Sequence, residues 1–110
     1  MASNKKFVEF VVDQIKRVGS IEARSMFGEY GIYADGKLFA LICDNKLFIK
    51  PTEPGRAFIK DVVEAAPYPG AKNSFLIEDK LEDWKWLSEL VKITVKALPP
   101  SKVKKPKKKI

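Results

Sequence analysis

Among the first twenty positions, Phe7, Val8, Val11, Val12, Ile15 and Val18 recur at helical spacing. Steps of three and four stack them along one helical face, so a helix is expected over residues 4–18. Ser3 is placed to cap its start, and Gly19 to end it in the left-handed conformation. The pattern changes after Ser20. Short apolar and aromatic runs are separated by Asp35-Gly36 and Asp44-Asn45, which predicts strands near 23–27, 29–34, 37–43 and 46–50 in an antiparallel meander. Asp-Gly between two such runs asks for a type I′ turn, with positive φ at both central residues. A two-residue loop there sets Ile32 opposite Phe39, Tyr30 opposite Leu41, Tyr33 opposite Leu38 and Gly31 opposite Ala40. Leu38, Ala40 and Ile42 then share one face, and Phe39, Leu41 and Cys43 the other. Both faces are apolar, whereas an antiparallel sheet usually wets one. Cover is therefore expected on each, from helices on both sides or from a second subunit.

Thr52 is placed to cap a second helix running to about residue 65, with Pro54 in its first turn, where a missing N–H costs little. Phe58, Ile59, Val62 and Val63 supply its buried stripe. Ala66-Pro67-Tyr68-Pro69-Gly70 breaks it, and Ser74 to Glu78 reads as a fifth strand. Asp79-Lys80-Leu81-Glu82 resembles a capping box and opens a last helix reaching about Leu98. Trp84, Leu87, Val91, Val95 and Leu98 form one stripe on it; Trp86, Leu90, Ile93 and Ala97 form another. So wide an apolar arc implies deep burial or contact with another chain. Pro99-Pro100 ends the helix. The expected fold is α+β: an antiparallel meander of about five strands packed with three helices over residues 1–99. A disordered lysine-rich tail follows over 100–110.

Charge sharpens that division. The 110-residue chain carries a net +7, yet Lys102, Lys104, Lys105, Lys107, Lys108 and Lys109 stand in the tail without an acid. Setting them aside leaves 15 basic and 14 acidic side chains, a net of +1. A folded basic patch can select one polyanion, but a tail of this kind adheres to many: it reads either as a non-specific attractor of DNA or RNA or as a solvated, solubilising tail. No aromatic residue is interleaved with its lysines, so stacking on bases is not expected from it. The chain has no histidine and one cysteine, which removes Ser-His and Cys-His pairs, a histidine base, and histidine or multi-thiolate metal sites. Neither a cofactor nor a metal is expected. The apolar runs are too short to span a membrane and the first residues lack a signal-peptide pattern. The single Cys43 suits a reducing compartment. A cytoplasmic protein is expected.

Gly31-x-x-x-x-Gly36-Lys37 keeps the spacing of a phosphate-binding loop, but Leu38 replaces the hydroxyl that would hold magnesium, and a strand follows where a helix is needed. The hairpin explains the same glycines better. Gly28-Glu29-Tyr30-Gly31 matches the backbone clamp of some RNA-binding domains, but it sits among strands, where Gly28 suits a bend or bulge and Gly31 a close approach. Cys43 reads as a core thiol, with a redox sensor as the sharper alternative. Glu78, Asp79, Glu82 and Asp83 read as helix-start acids rather than cation ligands.

The stretch from Arg24 to Lys50, through Met26-Phe27-Gly28, Tyr30-Gly31, Asp35-Gly36 and Phe39-Ala40, resembles the N-terminal domain of the TfoX/Sxy family. The likeness is dense over residues 24–50 and continues loosely to the last helix. It implies a small α+β domain found in bacterial regulators of DNA-uptake competence, which act with the cyclic-AMP receptor protein and usually carry a second, helical domain. The motif residues carried over are Arg24, Met26, Phe27, Gly28, Tyr30, Gly31, Asp35, Gly36 and Lys50; the resemblance attaches no catalytic role to them. The expected function is thus a non-enzymatic, transcription-related accessory domain working by protein contact, with a transcription factor or other protein as partner and a nucleic-acid-attracting tail. Two other readings stand beside it. One is a homodimeric interaction module without a nucleic-acid role. The other is a small-molecule-binding or enzymatic domain, requiring Arg24, Tyr30, Tyr33, Lys50 and Tyr68 to converge on one cleft.

Overall fold

The structure is a computed structural model that describes residues 4–26 and 29–98. Its elements run α1 (Lys5–Ile15), β1 (Ile21–Met26), β2 (Glu29–Ala34), β3 (Lys37–Cys43), β4 (Lys46–Ile49), α2 (Glu53–Ile59), β5 (Glu64–Ala65), β6 (Ser74–Ile77) and α3 (Trp84–Ala97). The strands form one antiparallel sheet in the order β1-β2-β3-β4-β6-β5. It thus has six strands where about five were expected. Ser3, Phe27, Gly28, the six tail lysines and the tail's expected disorder lie outside the described residues.

Asn4 caps α1. Its side-chain oxygen accepts from Lys6 N at 2.8 Å, while its own N–H donates to Asn45 Oδ1 at 2.6 Å, tying the helix start to the β3–β4 turn. The helix ends at Ile15, before Gly19. Gly19 does not supply a left-handed stop. It makes room instead: a Cβ there would lie 3.0 Å from Asp35 Oδ2, the carboxylate whose other oxygen accepts from Ser20 N.

Both tight turns form as their sequences require. Asp35 and Gly36 have φ of 50° and 86°, Asp44 and Asn45 of 53° and 58°, the positive pair that a type I′ turn demands. The expected register fails one step beyond the first turn. Ala34 faces Lys37 and Tyr33 faces Leu38, but Ile32 then faces Ala40, Gly31 faces Leu41 and Tyr30 faces Ile42. Phe39 is the extra residue of a β-bulge. Phe39 and Ala40 both belong to the buried core, so the bulge turns two consecutive apolar residues toward the helices. Leu38, Leu41 and Cys43 are left on the opposite side.

All three helices lie on one side of the sheet. Val8, Val11 and Ile15 of α1 and Leu87, Leu90 and Val91 of α3 share a core with Ile32, Phe39, Ile42, Leu47, Ile49 and Phe75. α2 joins it where Gly55 approaches Phe75 and Leu90. Of the two covers expected for the sheet, helices on both sides are therefore ruled out among the described residues: the apolar arcs of the three helices together bury one sheet face. α3 lies between its two neighbours, which accounts for its double stripe. Leu87, Leu90, Val91 and Thr94 are buried, while Trp84 and Ala97 are exposed. Thr94 is accommodated because its Oγ1 donates to Leu90 O at 2.8 Å.

Two helix boundaries also move. Thr52 Oγ1 accepts from Gly55 N at 3.0 Å, as a cap should, but α2 stops at Ile59 and not near residue 65. Lys60 takes φ 71° and ψ −68°, and the chain turns out to form β5 against β6. Val62 packs against the core from outside any helix, and Val63 is exposed. At α3 the cap is Asp83, which accepts from Trp86 N at 3.1 Å. The expected box at Asp79 and Glu82 does not form: those residues lie in turns, and Leu81 O accepts from Gln14 Nε2 at 2.7 Å.

Candidate interaction surface

The side of the sheet away from the helices is the surface that nothing else in the fold explains. Strand alternation places Tyr33, Leu38, Leu41, Phe48 and Leu76 there. Phe48 stands directly opposite Leu41 on one flank and Leu76 on the other, and at 4% exposed it offers a partner little area of its own. Leu38, Leu41 and Leu76 are half-buried. Complete burial of an exposed side chain of this kind contributes about 1.5–3 kcal/mol, and these half-buried leucines keep a part of that for a partner to release. Cys43 lies on this face too. Burial pushes its thiol above the ordinary range, and the nearby Glu29 carboxylate adds to the effect. The proton is held at neutral pH, which suits a structural thiol and not a reactive one.

The β1 end of this face is charged. The Arg24 guanidinium lies over the Tyr33 ring at 4.8 Å and meets Glu22 Oε1 at 3.1 Å. Both Arg24 and Glu22 are well exposed, so the ion pair stabilises the monomer little, and the stacking contributes about 0.5–1 kcal/mol.

The motif residues scatter by role. Gly31 is buried between Arg24 on β1 and Leu41 on β3. Tyr30 packs against the core on the helix side. Asp35 and Gly36 make the β2–β3 turn. Lys50 follows β4, its N–H donating to Phe39 O at 2.9 Å beside the bulge. Met26 ends β1, where its backbone faces Glu29. Of the five residues required to converge on a cleft, Arg24 and Tyr33 meet, Tyr30 lies across the sheet, and Tyr68 is exposed in the loop before β6. Lys37, the lysine of the phosphate-loop spacing, serves α3. Its ammonium donates to Val95 O and Leu98 O at 3.0 and 3.2 Å, satisfying carbonyls that a helix C-terminus leaves open.

A shallow cleft of about 290 Å³ sits at the β6 end beneath the α2–β5 turn, with Lys60, Asp61, Val63, Lys80 and Trp86 among its walls. The Asp61 N–H donates to Ile59 O at 2.9 Å, so Lys60 is the centre of a γ-turn of the strained kind. The cleft's charged residues are all exposed and of mixed sign, so it lacks the fixed, desolvated polar groups that orient a small ligand. Among the described residues, no group of three or more histidine, cysteine, aspartate or glutamate residues could hold a metal ion. No described helix is long and apolar enough to cross a membrane. Sequence reasoning placed apolar residues on both sheet faces but missed which face stays without helices, because the bulge at Phe39 decides it.

These features define an α+β domain with an antiparallel sheet, three helices on one side and an apolar, charge-edged sheet face on the other. A sequence model of the TfoX N-terminal domain matches residues 13–98, and the chain belongs to that family. It is also 38% identical over 109 residues to an "Uncharacterized 12.7 kDa protein in trpE 5'region" of Spirochaeta aurantia, covering 99% of this chain and 95% of that one.

Proposed function

We propose that this protein is a non-catalytic, transcription-related accessory domain that works by protein contact through the helix-free face of its sheet. The observation that carries the reading is the half-buried apolar row Tyr33, Leu38, Leu41 and Leu76 around a buried Phe48, on a face that no described helix covers. Family membership supports a regulatory role of the kind that the TfoX/Sxy competence regulators have. The lysine run at residues 102–109 adds weak, salt-dependent attraction for DNA or RNA, bringing the domain near nucleic acid without choosing a sequence.

The test is affinity capture from a lysate of the native cells, with and without nuclease, comparing wild type, Leu41→Asp and a chain lacking residues 101–110. The expected result is a protein retained after nuclease by wild type and by the truncated chain, and lost by Leu41→Asp while its circular dichroism is unchanged. The truncation is expected to abolish only the nuclease-sensitive, salt-sensitive material. Capture that is wholly nuclease-sensitive, or indifferent to Leu41→Asp, would contradict the proposal.

A further inference from the structure

The two edges of the sheet are protected very differently. β5 is two residues long, and a short edge offers little to pair with. β1 is six residues long, in unbroken register with β2, and carries no proline or bulge. Among the described residues no strand pairs with its outer side.

The direction of its free hydrogen-bonding groups follows from one contact. Asp35 N donates to Ser20 O at 2.9 Å, and residues 20 and 35 continue the β1–β2 register. In an antiparallel ladder the hydrogen-bonded positions recur every second residue. Residues 20, 22, 24 and 26 therefore turn their backbone groups toward β2. Ile21, Ala23 and Ser25 turn theirs outward. The side chains alternate in step with them: Glu22 and Arg24 lie on the helix-free face, and Ile21, Ala23 and Ser25 on the helix side, where Ile21 packs against the core and Ala23 and Ser25 are small and exposed.

We infer that β1 is a self-association edge, pairing antiparallel with β1 of a second copy about a twofold axis at Ala23, with Glu22 opposite the partner's Arg24. The register is selected by charge. Only registers that match outward positions with outward positions can form the ladder. Centred on Glu22, the pairing sets glutamate against glutamate; centred on Arg24, arginine against arginine. Like charges directly opposite are destabilising. Centred on Ala23, it joins Ile21 to Ser25 and Ala23 to Ala23 by backbone hydrogen bonds. Glu22 and Arg24 then fall at the non-hydrogen-bonded positions, where side chains approach closest. The contact is isologous and closes at two copies. It rests on β1 alone and not on the proposed role of the helix-free face, although it would set two such faces side by side in one continuous sheet.

Sedimentation equilibrium of the full chain at low salt tests it with Ala23→Pro, Glu22→Arg and Arg24→Glu. Proline at 23 removes an outward N–H that β2 does not use, so a folded monomer is expected, with the dimer dissociation constant raised at least about tenfold. Each charge variant alone sets like charges across the axis and is expected to be monomeric. Mixed in equal amounts, the two are expected to form a heterodimer. The Glu22→Arg copy brings only arginine to the paired positions and the Arg24→Glu copy only glutamate, so every cross-axis pair is of opposite charge. Added salt should weaken wild type and heterodimer alike. A wild-type chain monomeric up to about 1 mM would overturn the proposal. So would single charge variants that dimerise as well as wild type, or a mixture that stays monomeric.

Discussion

Several single residues act through one atom or one missing atom. Gly55 is the clearest. A Cβ there would lie 2.8 Å from Thr52 Oγ1, the oxygen that caps α2. Alanine is the better helix former by about 1 kcal/mol, but here it displaces a cap whose loss costs about 0.5–2 kcal/mol, while Phe75 at 3.5 Å stays in ordinary contact. Gly55→Ala is therefore expected to lack the gain of about 1 kcal/mol that the propensity scale alone gives, and to cost up to about 1 kcal/mol in urea melts. Cys43 gives a pH signature. Burial raises its folded-state pKa, so above the ordinary thiol range the unfolded chain loses a proton that the folded chain keeps, and stability falls as pH rises. The contribution is intact below about pH 8. The stability advantage of wild type over Cys43→Ala should shrink between about pH 8 and pH 10 in paired melts.

At the level of elements, what could be read from sequence was what local chemistry dictates. Asp35-Gly36 and Asp44-Asn45 had to be turns because few other residues accept positive φ, and Thr52 announced α2 because a hydroxyl before Pro54 is a cap. Features that needed a partner strand stayed hidden. β5 is too short to carry a pattern, and the bulge lies in a run, Leu38 to Cys43, that is apolar at every position, so periodicity could not show which residue was extra. The open sheet face was hidden for the same reason, since register decides which apolar residues the helices cover. The start of α3 was misplaced because several acids stand in a row and each could serve as a cap. The structure chooses Asp83. Asp83→Ala should then cost about 1 kcal/mol in thermal or urea unfolding, while Asp79→Ala changes stability by less than about 0.5 kcal/mol. A larger loss from Asp79→Ala than from Asp83→Ala would return the cap to Asp79.

For the whole molecule, the central point is the asymmetry of the sheet. One face is buried beneath three helices that share a core. The other keeps the half-buried Tyr33, Leu38, Leu41 and Leu76 around a buried Phe48, bounded at β1 by Glu22 and Arg24. Lys37 is engaged by α3, the charged groups of the small cleft are all exposed, and the five residues tested for convergence do not gather. These facts support the proposed recognition through the helix-free face. It is tested most directly by placing a photo-crosslinking amino acid at Leu41, on the helix-free face, and in a second chain at Lys92, on the exposed side of α3, in the native cells. A nuclease-resistant protein adduct is expected from position 41 and none from position 92. Adducts from position 92 alone, or equally from both, would contradict recognition through the helix-free face.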